Sequence, residues 1–169
     1  MPETISVSRI YKTLVGDILA AQSSKGLCAL EFGRVSERRF LKRLAEYIGP
    51  DAAFEMRSLP IVDMQLKNYL AGKITSFNLE VDLRGLTAFQ KQVLRQTMKV
   101  PYGRTSSYGD IASRIGRPAA YRAVGNAVGA NPIPIVIPCH RIVASDGGIG
   151  GYSGGLSYKK KLLALEGAL

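Results

Sequence analysis

The stretch YGDIASRIGRPAAYRAVGNAVGANPIPIVIPCHR, residues 108–141, decides how this chain is read. Its first part places Ile111, Ala112 and Ile115 on the inner side of a short helix predicted over 108–115. Gly116-Arg117-Pro118 makes a tight turn, and a second helix is predicted over 119–129. Helix, short glycine-containing turn, helix is the pattern of a helix-turn-helix.

The second helix has two unlike faces. Ala120, Ala123, Val124, Ala127 and Val128 recur at the spacing of a buried stripe. The opposite stripe is Ala119, Arg122, Asn126 and Gly129. A reader of the major groove usually carries several long polar side chains to reach base edges. A face of alanine and glycine with a single arginine suits a shallow or narrow groove instead, with one long cation able to enter the base stack.

Asn131-Pro132 ends that helix, and the apolar run 133–137 is expected as a buried extended strand delivering Pro138-Cys139-His140-Arg141. Cys139 is one of two cysteines and His140 is the only histidine. A thiol beside a potential base and flanked by a cation is where a cysteine becomes a thiolate nucleophile. An isolated Cys-His pair is more often a small buried hydrophobe with a solvated neighbour; the surroundings here reverse that preference in favour of chemistry. Downstream, residues 147–155 are rich in glycine. They lack the Gly-Lys-Ser/Thr and G-x-G-x-x-G registers of phosphate loops. Their glycines allow close ligand approach, while Tyr152 and Ser153 offer a flat wall and a donor.

Farther out, Thr87 is a plausible cap for a helix to about residue 99, with Phe89, Val93 and Met98 spaced for burial. A final helix is expected over 159–165, with Glu166 near its end. Towards the N-terminus, residues 10–32 read as a hairpin: apolar stretches 13–21 and 27–32 flank Ser23-Ser24-Lys25-Gly26, with Cys28 in the core. Ser36 can cap a helix to residue 48, with Phe40, Leu41, Leu44 and Ile48 on one face. A second helix is expected over 61–70 and an extended segment over 74–83. The implied fold class is α/β. A small strand-rich N-terminal α/β lobe (a hairpin or three-stranded sheet plus helices, residues 1–80) precedes a mostly helical C-terminal domain with the helix-turn-helix (residues 81–169).

Bulk properties bound the function. Hydrophobic content of 46% and charged content of 21% fit a globular protein with a core, and no apolar run approaches the roughly 20 residues that span a bilayer. The first 20 residues lack a signal-peptide apolar region, so a cytoplasmic or chromosomal location is expected. The net charge is +10. It is uneven: residues 1–80 carry 11 basic and 9 acidic side chains, residues 81–169 carry 12 and 4. A polyanion, most simply nucleic acid, is the partner that the second half suits. Two distant cysteines and one histidine make neither a disulfide framework nor a good zinc set, so no metal is expected.

Arg122-Ala123-Val124-Gly125, Asn131-Pro132, Ile137-Pro138-Cys139-His140-Arg141 and Gly151-Tyr152-Ser153-Gly154-Gly155, in this order and spacing, resemble the O6-alkylguanine-DNA alkyltransferases, also called methylated-DNA–protein-cysteine methyltransferases. Residues 87–166 carry the resemblance. It implies that Cys139 accepts the alkyl group of O6-alkylguanine in double-stranded DNA and keeps it as a thioether, once per molecule and with no cofactor. It further implies that His140 acts through a water as base, that Glu166 polarises His140, and that Asn131 holds the turn before the cysteine. Arg122 would replace the flipped nucleotide in the stack, beside Ala119, Asn126 and Gly129 on the DNA-facing side. Tyr108 would help to rotate the nucleotide and then protonate the departing guanine. Tyr152, Ser153, Gly154 and Ile142 would line the pocket, Ser153 through its N–H. The resemblance implies a monomer acting on DNA, with no membrane.

Three departures stand out. Leu94 sits where many relatives have tryptophan, Gly129 where a basic residue often follows the recognition helix, and residues 1–80 hold no histidine for the zinc that some relatives bind there. The alternatives are a non-catalytic alkylguanine-recognition protein, which would lack the cysteine, and a helix-turn-helix regulator, which leaves Pro-Cys-His-Arg and the glycine-rich stretch unexplained. A cysteine hydrolase would need an oxyanion hole and turnover on acyl substrates.

Overall fold

The structure, a computed structural model, describes residues 2–169, and its contacts divide the chain into two compact units, Met1–Gly85 and Leu86–Leu169.

The first unit is built on a four-stranded sheet. Strands β1 (Thr4–Thr13), β2 (Gly16–Ser23) and β3 (Gly26–Gly33) form an antiparallel meander. After helix α1 (Glu37–Ile48), strand β4 (Ala53–Met56) returns parallel to β1, giving the order β3-β2-β1-β4, and helix α2 (Pro60–Leu70) follows. Alternation along the strands sends Ile5, Val7, Leu19, Ala21 and Cys28 into one core with Phe40 and Leu44 of α1. On α2, Asp63 accepts a hydrogen bond from Ser8 at 2.7 Å, and Val62, Leu66 and Tyr69 are buried. Ser36 caps α1 by accepting from the Arg39 N–H, as its position before the apolar stripe predicts.

The hairpin turn at Ser23–Gly26 lies where expected, but the apolar stretch 13–21 is not one strand. The Thr13 hydroxyl donates to the Gly16 carbonyl and accepts from the Val15 N–H, which folds a turn inside that stretch and frees residues 4–13 as a strand of their own. The segment 74–83, expected extended, is irregular apart from Val81, which bridges Leu27. It stays on the sheet because the Leu27 N–H donates to the Glu80 carbonyl and the Leu27 carbonyl accepts from the Asp82 N–H, and because Gly26 has no side chain: a Cβ there would stand 2.5 Å from the Glu80 carbonyl oxygen. A polar knot finishes the attachment. Arg84 donates to Asp82 at 2.7 Å and to Glu3 at 2.6 Å, and the Ser23 hydroxyl donates to Asp82 at 2.6 Å. Residues 81–85 therefore pack with the first unit.

The second unit is mostly helical. Helix α3 (Ala88–Thr97) starts at a reciprocal cap between Thr87 and Gln90. Val93 and Leu94 are fully buried, but Met98, expected inside, is exposed. Thr97 takes the inward slot, its hydroxyl donating back to the Val93 carbonyl, and Val100 fills the next. Strand β5 (Ser106–Ser107) leads into α4 (Tyr108–Arg114), capped reciprocally by Ser107 and Asp110. A 3-10 turn at Pro118–Ala120 then precedes α5 (Tyr121–Gly129). The regular helix starts two residues later than expected; its buried positions are Val124, Ala127 and Val128, while Ala123, one turn before Ala127, is exposed. Strand β6 (Ile142–Val143) pairs parallel with β5, and α6 (Leu156–Leu165) closes the unit.

The run 133–137 is buried but forms no strand. Pro134 inside the run, and Pro132 and Pro138 on either side of it, lack the N–H groups that a ladder needs. The chain turns instead, with Ile137 N–H on the Ile133 carbonyl and Ile135 at φ 75°, a left-handed conformation costly for a β-branched residue.

The knot at Glu3 makes the first unit acid-sensitive. The Arg84 bond holds the Glu3 carboxyl down to about 2. The stability it contributes is complete above the ordinary carboxylate range near 4.5 and is lost as pH falls toward 2. Glu3→Gln should flatten that part of a plot of urea midpoint against pH while lowering the midpoint at pH 7.

Candidate active site

Cys139 opens a single 3-10 turn, Cys139–Arg141, immediately after the proline-rich loop. Asn131 fixes that loop from inside. Its side-chain amide donates to the Ile137 carbonyl at 2.9 Å, and its oxygen accepts the Ile133 N–H at 3.0 Å. The cysteine is buried, and its Sγ lies 3.8 Å from the Tyr152 hydroxyl. Burial pushes the thiol pKa up, against hydrogen bonds from Asn131 and Tyr152 and the charge of Lys159. The resting group is therefore a thiol, and a nucleophile has to be made by removing its proton.

The adjacent residue is a histidine. His140 is fully buried, with Nε2 2.8 Å from Glu166 Oε1. Desolvation pulls its pKa down more than Glu166 raises it, so the imidazole is neutral and can accept a proton. Glu166 caps the end of α6 and is itself held by several donors. Arg141 donates to it from Nε at 3.0 Å and Nη2 at 2.9 Å, and the Gly103 N–H donates at 3.1 Å. Arg141 also donates to the Val100 carbonyl at 2.7 Å. The sequence reading gave Arg141 no role beyond a flanking cation; here it is the ion-pair partner that keeps Glu166 in place.

A cavity of about 330 Å³ lies over Cys139. Tyr108, Gly151, Tyr152 and Ser153 form one side, and Gly125, Val128 and Gly129 of α5 the other. Tyr108 stands at the start of α4, half-buried, with its hydroxyl 3.5 Å from the Gly151 carbonyl; burial raises its pKa. Its ring meets Gly150 so closely that a Cβ there would stand 3.4 Å away, and Gly150 also has φ 71°. Glycine at that position is what lets the loop lie against Tyr108.

Not every expected lining residue reaches the cavity. Ile142 is fully buried in the helical core beneath it, and Gly154 is exposed on the loop outside. Gly125 and Val128, which do line it, were not anticipated, although they fall one turn apart on the helix that carries Arg122. Arg122 is exposed, its guanidinium 5.8 Å from the Tyr121 ring centroid, and Ala119, Asn126 and Gly129 are exposed with it. Lys159 was also missed. It is fully buried, and Nζ donates to the Ile142 carbonyl at 2.6 Å and the Gly151 carbonyl at 3.1 Å. Its helical phase could have flagged it: Lys159, Leu162, Leu163 and Glu166 share the inward stripe of α6. Among the described residues no group of three or more His, Cys, Asp or Glu side chains could hold a metal ion, and no helix is long and apolar enough to cross a membrane.

Comparison with known proteins bears on this geometry. Residues 88–168 match the family model of the 6-O-methylguanine DNA methyltransferase DNA-binding domain, and residues 7–83 that of the same family's ribonuclease-like domain. A methylated-DNA–protein-cysteine methyltransferase from Methanosarcina barkeri is 42% identical over 93% of this chain and 94% of its own. One from Mycolicibacterium paratuberculosis is 55% identical over 60% of this chain, and the chain spans 61% of that relative's length. The crystal structure of Mycobacterium tuberculosis OGT in complex with DNA superposes with a TM-score of 0.81 at 36% identity, covering 96% of this chain and 92% of that one. O6-methylguanine-DNA methyltransferase from Pyrococcus kodakaraensis gives 0.72 at 32% identity, with 96% and 99% covered. With both halves matched in order, and a relative of this identity aligned over nearly its whole length, the chain belongs to the 6-O-methylguanine-DNA methyltransferase family.

Proposed function

We propose that this protein repairs double-stranded DNA directly, moving the alkyl group of O6-alkylguanine irreversibly to its own Cys139, as a cytoplasmic monomer. One observation carries the reading. The helix that exposes Arg122 also forms, through Gly125, Val128 and Gly129, a wall of the cavity whose floor is Cys139. A side chain that enters the stack and a pocket that receives what it displaces thus belong to one rigid element.

The target oxygen is buried in a duplex, so the nucleotide must be flipped out, at a cost of a few kcal/mol that is smaller for a poorly paired damaged base. The outer face of α5, with Ala119, Asn126 and Gly129 around Arg122, permits close approach to the minor groove while the arginine fills the gap. A regulator reading base edges would need more long polar side chains there. Phosphate contacts follow from the basic balance of residues 81–169.

In the cavity the flipped guanine lies against Tyr152, with its oxygen toward the Ser153 N–H. The Cys139 proton passes through a water to His140, whose Nε2 is already committed to Glu166, so Nδ1 takes it. Sulfur attacks the alkyl carbon; the S–C bond forms as the C–O bond breaks, and the electron pair leaves with guanine. Tyr108 protonates the departing base, which lowers the barrier to its loss. The product thioether has no easy leaving route, so each molecule reacts once. Both cysteines are unpaired in the fold, which suits a reducing compartment.

Cys139→Ala should abolish methyl uptake from an O6-methylguanine duplex while leaving DNA affinity within about threefold, a change of less than 1 kcal/mol; residual transfer, read by peptide mapping, would sink the assignment. Arg122→Ala should slow repair of duplex by at least about tenfold, or 1.4 kcal/mol, yet leave the reaction with free O6-benzylguanine nearly unchanged, because only the duplex requires flipping. Equal losses on both substrates would remove the role in flipping.

A further inference from the structure

Helix α6 carries a second charge into the acceptor site that the transfer scheme does not use. Lys159 is fully buried, and among the described residues it makes no ion pair with a carboxylate. A buried ammonium in that position is costly unless dipoles and an anion compensate it. Two dipoles are visible: the carbonyls of Ile142, in the strand that follows the acceptor turn, and of Gly151, in the glycine loop. Nζ also lies 5.9 Å from the Tyr152 ring centroid.

We propose that Lys159 is a positioning residue of the acceptor site with two linked tasks: it straps the glycine loop to the strand beneath the pocket, and its ammonium is the counter-charge of the Cys139 thiolate. This rests on Cys139 being the acceptor. The strap follows from the distances. Gly151 and Tyr152 line the cavity, so a bond from Lys159 to the Gly151 carbonyl holds that wall to the core at Ile142. It also occupies the carbonyl that Tyr108 approaches only at 3.5 Å, leaving the phenol free to turn to a substrate.

The counter-charge follows from the surroundings. The groups around Cys139 are Lys159 from α6, Tyr108 from α4, Tyr152 from the glycine loop, Asn131 from the proline-rich loop and the neighbouring His140, with Arg141 and Glu166 behind the histidine. Glu166 is matched by Arg141, so the positive charge that favours a thiolate is that of Lys159. The coupling is reciprocal: burial draws the Lys159 pKa down to about 8, and a negative Cys139 is what raises it again. No bond is made or broken at Lys159. The thiol proton leaves through His140, and the ammonium keeps its own.

The test reads the thiol without DNA. Labelling of Cys139 by iodoacetamide is followed against pH and localised by peptide mapping, in wild type, Lys159→Met and Lys159→Gln, with thermal melts to establish folding. Cys28 stays silent because burial pushes its thiol to about 12. Both variants should label Cys139 about tenfold more slowly at neutral pH, with the profile displaced to higher pH, since one pKa unit is a tenfold change in ionisation at fixed pH. Glutamine can replace a carbonyl bond but not the charge. If the profile of either folded variant superimposes on that of wild type, the counter-charge role is wrong. Methyl uptake from an O6-methylguanine duplex by wild type, run in parallel, separates the two claims. Uptake with superimposed profiles overturns Lys159 alone, whereas no uptake overturns the acceptor reading itself.

Discussion

The carboxylate of Glu166 is the point on which the second unit turns. It is buried, and it accepts from His140, from two nitrogens of Arg141 and from the Gly103 N–H. Those contacts join the end of α6, the acceptor turn and the loop that follows α3 into one assembly. Burying three ionisable groups carries a desolvation penalty, and a carboxylate in such a cluster is tolerated because its acceptor capacity is filled. Removing it would leave the Arg141 guanidinium without its partner, a loss of about 3–5 kcal/mol for a buried pair. The same carboxylate that organises the fold here also sets the tautomer of His140, so stability and reactivity are not separable at this residue.

The acceptor turn is rigid for a second reason. Three prolines and the two-sided staple of Asn131 leave the segment before Cys139 little freedom, and Ile135 is forced into a left-handed conformation. Strain of this kind persists where surrounding contacts over-determine the backbone, and it lies in the loop that leads to Cys139, the proposed acceptor. On the proposed mechanism, the thiol of Cys139, the neutral imidazole of His140 and the ammonium of Lys159 form a site in which little has to move except the DNA.

Much of this was legible in the residues. Caps at Ser36 and Thr87 and the stripe Val124, Ala127, Val128 follow from local chemistry that the tertiary structure does not override. The grouping of Cys139, His140 and Glu166 came from the family resemblance, since 26 residues separate the histidine from the glutamate and no periodicity links them. What periodicity misread has physical causes. Residues 133–137 look like a strand by hydrophobicity, but Pro134 and the flanking Pro132 and Pro138 deny the ladder its N–H groups. The stretch 13–21 hides a threonine turn that apolar content cannot reveal. Lys159 was hidden by composition: in a run of three lysines the solvated reading is the natural one, and only the inward phase of α6 tells the first apart from Lys160, which is exposed.

The account stands or falls on whether Cys139 keeps the alkyl group. Intact-protein mass spectrometry after incubation with an O6-methylguanine duplex, followed by peptide mapping, asks this directly. The account predicts one added methyl group per protein, located on Cys139 and saturating there. An unmodified Cys139 in protein that binds the damaged duplex, or demethylation of more than one guanine per protein, would contradict it.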